Sequence, residues 1–313
     1  MLSFVLRRLG SGLAVLGAAA VLTFLLLYVS SGDIARNILG EQATAEQLAA
    51  KEAELGLDRP VLTRLLDWLG GAFGGDLGTS WFTGQRVVEA ISARLSVTLT
   101  LLVCAIVLIA VAATALGVTA AVKRGWIDRV VQVGSVLGTA LPSFLIGLLL
   151  VTVFAIQLGW FPAISTIRPG SWNGAWAASL ALPLLALVID GVAGAAQQIR
   201  SAFIKQLEQD YVRTLRSRGL GEREIMLRHV LRSAAPAGLT VLSLQFIGML
   251  GGVVILEQIF ALPGVGTLAV SATTQGDLPL VMGVVIYTVL IVIVVNLLVD
   301  LVNGWLNPKV RVA

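Results

Sequence analysis

The sequence predicts an all-α integral membrane protein with six transmembrane helices and a structured extracytoplasmic segment between the first and second. Three observations carry this. Of 313 residues, 57% are hydrophobic and only 13% charged, about half the charged share of a soluble domain. Long charge-free runs, Leu95–Val122, Val130–Ile167, Ser233–Leu256 and Leu278–Val299, reach or exceed the ~20 residues that cross a bilayer core. Lysine and arginine gather between these runs in a pattern that alternates from one connection to the next.

The chain opens M-L-S-F-V-L-R-R-L-G, then carries no charge from Leu9 to Gly32. That is too long for a cleaved signal, whose apolar region is ~7–15 residues. It reads as a retained first span near Leu9–Val29, with Arg7 and Arg8 holding its start in the cytoplasm. Further spans are expected near Val97–Val122, Val130–Gln157, Ala175–Ile199, Ala237–Leu256 and Leu280–Leu301. Gln258–Gly276, rich in Gly, Thr and Ser with Pro263 inside it, reads as an irregular connection with a re-entrant piece as an option. With both termini cytoplasmic, the inner segments hold fifteen of the 22 Lys and Arg. Six of the others lie between Ser30 and Ser96, a loop long enough to be exempt from the charge rule. The expected organisation is an N-terminal transmembrane helix over 1–30 and an extracytoplasmic segment over 31–93. A five-helix core over 94–304, with a cytoplasmic loop at 200–236, and a tail over 305–313 complete it.

Within the outer segment, Thr44 and Gln47 have the spacing of a capping box, predicting a helix that stops at Gly56. Pro60 suits the first turn of another helix, through Trp68; then comes a turn-rich G-G-A-F-G-G-D-L-G-T-S-W. The segment serves either as a simple cap on the helix ends or as a folded element with a role of its own.

Pro142 in the third span predicts a kink used for packing or, as the alternative, a broken helix beside a pathway. Gly134 with Gly138, and Gly248 with Gly252, give small-xxx-small faces for close helix approach. Charge inside the spans is limited to Asp190, Glu257 and Asp300. Asp190 and Gln197, seven residues apart, share a face. With Gln198 they form a polar stripe that either faces water or bonds a neighbouring helix. Pro142, Ser143, Asp190, Gln197, Gln198, Gln245 and Glu257 are the candidate pathway residues. Cys104, the one cysteine, reads as a small buried hydrophobe.

The most informative stretch is Gln206–Pro236, polar and basic yet helically patterned. Asp210 suits an N-cap. Tyr211, Val212 and Leu215 form an apolar face ringed by Arg213, Arg216 and Arg218. Gly219 falls where a helix stops. A second short helix is expected from Gly221 to Ala234, with Ile225, Met226, His229 and Val230 on one side, before Pro236 leads into the fifth span. A folded, charged element against a membrane surface is a docking surface for a soluble partner.

At these residues the chain resembles a known family. D-Y-V-R-T-L-R-S-R-G-L-G-E-R-E-I-M-L-R-H-V-L-R-S-A-A-P is similar to the cytoplasmic "EAA" loop of binding-protein-dependent ABC importer permeases, in its oligopeptide and dipeptide version. S-G-D at Ser31, L-G-L-D-R-P at Leu55, G-D-L-G-x-S at Gly75, L-P-S-F at Leu141, E-x-I-F-x-L-P-G-x-G at Glu257 and the N-P-K-V-R tail agree with it, over essentially the whole length. The chain departs from the general pattern at Arg213, Thr214 and Leu215, where Glu, Ala and Ala stand, and at Leu231-Arg232, where a Leu-Pro pair stands and Arg232 replaces the Pro.

The resemblance implies the type I ABC importer permease fold and a non-catalytic subunit. Asp210, Tyr211, Arg213, Thr214, Leu215, Arg216, Arg218, Gly219, Leu220 and Glu222 would couple it to ATPase subunits, two separate or one fused. A second homologous permease subunit would complete the pathway as a heterodimer, and an extracytoplasmic substrate-binding protein would deliver the solute. ATP and magnesium would sit on the ATPases: this chain has no G-x-x-x-x-G-K-[ST] phosphate loop and needs no cofactor of its own. The implied solute is a dipeptide or oligopeptide, with glutathione, a nickel chelate or haem as alternatives.

Other classes fit less well. An ion-coupled secondary transporter tends to show half-repeats and midplane ionisable groups, and neither is evident. An intramembrane hydrolase needs a nucleophile with its base, whereas the single histidine, His229, lies in the basic cytoplasmic element, where packing accounts for it. A scaffold without transport has no distinguishing signal. Nucleic acid is not an expected partner, since the basic residues border apolar spans.

Overall fold

The computed structural model describes residues 2–30, 34–167 and 174–306. Ser31–Asp33, Arg168 and the N-P-K-V-R tail lie outside them. The described residues are helical apart from turns and one isolated bridge between Thr79 and Arg86. Among them, five single helices are long and apolar enough to cross a membrane, and one bent pair makes a sixth. They form two compact units, Val97–Leu262 with Val295 onward, and Leu2–Ser96 with Pro263–Val294.

In the second of these, α1 (Leu2–Ser30) is the first span. After α2 (Ile34–Leu39) comes α3 (Ala45–Glu54). Its capping box is as expected: the Gln47 amide donates to Thr44 Oγ1 at 3.3 Å, and the Thr44 amide donates to Gln47 Oε1 at 2.9 Å. The predicted stop at Gly56 is present, at φ +65°. Next, α4 (Val61–Phe73) has Pro60 as its N-cap rather than within its first turn, and runs five residues past Trp68. Leu77, Val87, Ile91, Leu268, Ala272 and Val281 make one core. Asp277, 1% exposed, accepts hydrogen bonds from the Ser80 hydroxyl and, at 3.3 Å, from the Trp81 amide.

The expectation for Gln258–Gly276 is corrected. Val265–Gln275 is a regular helix, opened by Gly264 and closed by left-handed Gly276. Its hydroxyls do not break it because they bond inside it: Thr273 and Thr274 each donate at 2.8 Å to the carbonyl four residues back. Phe260–Gly264, with Pro263 and Gly264 at its end, separates it from the helix before.

In the other unit, α5 (Val87–Lys123) continues in from Val97, and α6 (Gly125–Ala140) and α7 (Ser143–Leu150) come after it. Of the two expectations at Pro142, the third span is thus the broken helix and not one kinked helix. Leu141 and Pro142 separate two helices at 92°, the second extended by a π-helical turn to Gln157. Proline lacks the amide that would continue the ladder, and the Pro142 carbonyl instead accepts from the Leu145 and Ile146 amides at 3.0 and 3.2 Å.

Next is α8 (Gly174–Leu207). Of each small-xxx-small pair, one glycine makes a close approach. A methyl at Gly138 would lie 2.5 Å from the Ala193 Cβ, and one at Gly252 would lie 3.0 Å from the Ser143 hydroxyl; Gly134 and Gly248 face open space.

Candidate docking site

The Gln206–Pro236 stretch starts where α8 ends. A short helix, α9, runs Asp210–Ser217. Gln209, not Asp210, is the N-cap, and no side chain caps the helix. Asp210 stands one position further in, in the first turn, where its charge favours the positive helix end. Thr214 donates to the Asp210 carbonyl at 3.1 Å, and Ser217 to that of Thr214 at 2.9 Å. The helix stops as predicted: Gly219 takes φ +79° and its amide donates to the Arg216 carbonyl at 2.9 Å, while the Leu220 amide reaches the Leu215 carbonyl at 3.3 Å. An L-residue adopts that torsion only at a cost.

Beyond Gly219 the chain departs from expectation. There is no second short helix. One continuous helix, α10, runs Glu222–Ile259 through a π-helical turn at Ile225–Val230, with Pro236 inside it. Pro236 does not end it, because the carbonyl it leaves unbonded belongs to Arg232, an exposed residue that water can serve.

Val212 is fully buried and anchors α9. It packs in a cluster with Ala121 of α5, Phe203 of α8, and Ile225, Val230 and Ala234 of α10, with Tyr211, Leu215 and Leu220 at its edge. The apolar face read from the sequence is thus the anchored one. Ala121 lies in a long apolar run and Phe203 in the short S-A-F-I between Arg200 and Lys205, and neither carries a local signal of this packing. The opposite face is charged and open: the Asp210 and Arg213 side chains are 97% and 76% exposed and 3.7 Å apart. Arg216 donates to Glu222 from Nε at 2.6 Å and from Nη2 at 3.1 Å, across the Gly219 turn. That bond raises the Arg216 pKa above its ordinary value. Arg218 stays on the exposed side. Beside Tyr211, a cleft of about 300 Å³ is lined by Arg228, His229, Arg232 and Ser233.

The candidate pathway residues are not one group. Asp190 is half-buried on α8, while Gln197 and Gln198, two turns on, are exposed. The Gln245 amide lies over Gly191 and Gly194, within 3.3 and 3.7 Å of where their side chains would start. Pro142 is exposed at the break and Ser143 buried beside Gly252. Glu257 is fully buried and accepts from the Thr98 hydroxyl at 2.6 Å, a partner too distant along the chain to be read from local pattern. Arg200 also donates to Asp128, at 2.6 Å from Nη2, joining the far end of α8 to the start of α6.

Residues 113–312 match the family described as the binding-protein-dependent transport system inner membrane component, and residues 1–102 match that family's N-terminal component. The chain belongs to this family. It is a multi-pass, non-catalytic permease of the inner membrane, as the resemblance implies. Among its relatives, a Brucella abortus (strain 2308) protein provisionally named as a peptide transport system permease is 36% identical over 312 residues, covering 99% of each chain. A Sinorhizobium fredii (strain NBRC 101917 / NGR234) protein, provisionally named as a peptide ABC transporter permease, is 34% identical over 98% of this chain and 99% of its own. The glutathione transport system permease protein of Salmonella choleraesuis (strain SC-B67) is 35% identical over 99% of both. Among the described residues, no group of three or more His, Cys, Asp or Glu is placed to hold a metal ion.

Proposed function

We propose that this permease forms half of the translocation pathway of an ATP-driven peptide importer, with α9 as the element that couples it to ATPase subunits. The observation that carries the proposal is the two-sided character of α9. Val212 fixes one side to α5, α8 and α10, while Asp210, Arg213 and Arg218 leave the other side charged and open. A push on such a helix is passed to three spans at once. Asp210, Tyr211, Arg213, Thr214, Leu215, Arg216, Arg218, Gly219, Leu220 and Glu222 make up the docking surface in this reading, and the energy comes from ATP and magnesium held by the partner.

The same reading keeps both termini and the 200–236 loop in the cytoplasm and residues 31–93 outside. A second, homologous permease subunit completes the pathway, and a soluble binding protein delivers the solute. Asp190, Gln197, Gln198 and Gln245 are its polar lining, with Pro142 at a bend that can change as the pathway alternates. The names of the Brucella and Sinorhizobium relatives support a peptide as solute. Glutathione, itself a short peptide, is the second reading, because the Salmonella relative is nearly as similar.

The test is uptake into proteoliposomes holding the permeases, ATPases and binding protein. Labelled dipeptide, oligopeptide and glutathione are offered with ATP, with and without an uncoupler. ATP-dependent uptake that survives the uncoupler is expected, and the purified chain alone should hydrolyse no ATP. Uptake abolished by the uncoupler and indifferent to ATP would overturn the proposal.

A further inference from the structure

On α4, Val61, Leu65, Trp68 and Leu69 join a core with Ala20 and Phe24 of α1 and with Leu278 and Met282. The Arg64 guanidinium lies 5.9 Å from the Phe24 ring centroid and 5.5 Å from that of Tyr28. Phe24 and Tyr28 belong to the last turns of α1, whose apolar stretch runs Leu6–Tyr28 among the described residues. This sets α4 beside the end of the first span, where a spanning helix leaves the hydrocarbon for water, whichever way the chain is oriented. Arginine beside aromatic rings suits that boundary.

A second apolar face of the same helix has no cover among the described residues. Leu62, Leu66 and Phe73 are 66%, 59% and 87% exposed. At 3.6 residues per turn they fall within an arc of roughly 40°, next to the packed face. The remaining arc is polar or small: Thr63, Asp67 and Gly70, with Asp67 paired to Arg59 at 2.8 Å. An apolar stripe carrying Leu and Phe with a polar back are marks of a helix lying in a membrane interface. Leu22 and Leu26 of α1, 61% and 72% exposed, show that the neighbouring span presents leucine outward just below the same level.

We propose that α4 is an interfacial helix that inserts Leu62, Leu66 and Phe73 into the lipid surface at the end of the first span. The occupant of the stripe is the bilayer itself. Lipid continues from the exposed leucines of α1 onto α4, and Arg64 and Trp68 hold the helix at that depth from the protein side. This role goes beyond coupling to the ATPase and does not depend on it. It gives the extracytoplasmic segment a membrane anchor separate from the spans.

The test is site-directed spin labelling of the full chain, with whatever subunits co-purify, in nanodiscs of phosphatidylethanolamine and phosphatidylglycerol. Cys104→Ala removes the native thiol, and Cys is placed in turn at Leu62, Leu66, Phe73, Thr63, Asp67 and Gly70. Collision with oxygen, which concentrates in lipid, is compared with collision with a water-soluble nickel chelate. The ratio should be severalfold higher at Leu66 and Phe73 than at Asp67. Equal ratios would mean that the stripe faces water. Exclusion of both reagents at Leu66 and Phe73 would mean that a protein covers it. Either result overturns the proposal, and an unchanged size-exclusion profile shows that each variant is folded.

Discussion

Arg216 and Glu222 close the Gly219 turn with a bidentate ion pair, 2.6 and 3.1 Å, that ties the end of α9 to the start of α10. Both side chains are about half exposed, so the pair sets geometry more than stability. Its removal should cost less than about 1 kcal/mol. Uptake is the sensitive readout. Arg216→Glu and Glu222→Arg should each cut ATP-driven transport severalfold with little change in melting temperature, and the double exchange should restore most of it. Failure of the exchange to rescue would show that contact with another subunit, not the pair, is what matters.

Gly219 faces open space, so a substitution there meets a torsional cost and no clash. A β-branched residue at φ +79° costs about 1–2 kcal/mol, and asparagine much less. Gly219→Val should insert normally yet lose most ATP-dependent uptake, whereas Gly219→Asn should keep it. Normal uptake by the valine variant would remove the Gly-stopped helix from the coupling route.

Gly138 and Gly134 form an internal control. Gly138→Ala puts a methyl 2.5 Å from that of Ala193 and should destabilise by about 1–3 kcal/mol. Gly134→Ala meets nothing and should be neutral. Thermal unfolding in detergent, monitored by fluorescence size exclusion, distinguishes the two.

Asp277 receives the Ser80 hydroxyl and the Trp81 amide in a buried setting. Asp277→Ala leaves both donors without their acceptor, a loss of about 1–3 kcal/mol for each buried group. The expected sign is faster protease nicking near Gly75–Gln85, with Asp277→Asn in between because it keeps one acceptor oxygen. Wild-type resistance in the alanine variant would show that the loop is held by other contacts.

Local signals carry much of this architecture. The Thr44–Gln47 box, the Gly56 and Gly219 stops and the apolar face at Val212 each depend on neighbours a few residues away, so a linear reading reaches them. Pairings such as Thr98 with Glu257, Ser80 with Asp277 and Arg200 with Asp128 join residues distant in sequence and have no periodic trace. Two of the misplaced elements share one cause. Pro236 and the Thr- and Gly-rich Gln258–Gly276 look like breaks from residue type alone. Whether such residues break a helix depends on where the freed carbonyl and the hydroxyls find partners, which only the folded chain decides.

The continuity of Glu222–Ile259 has a mechanical consequence. Its 38 residues make a rod about 57 Å long, with α9 joined at one end and no loop between its ends to absorb movement. A tilt of about 10° at that end would carry the other by about 10 Å, given a rise of 1.5 Å per residue. The π-helical turn at Ile225–Val230 and Pro236 both lie in the half of the rod nearer α9, so whatever give the lever has is concentrated toward that end and spared along the arm beyond Pro236.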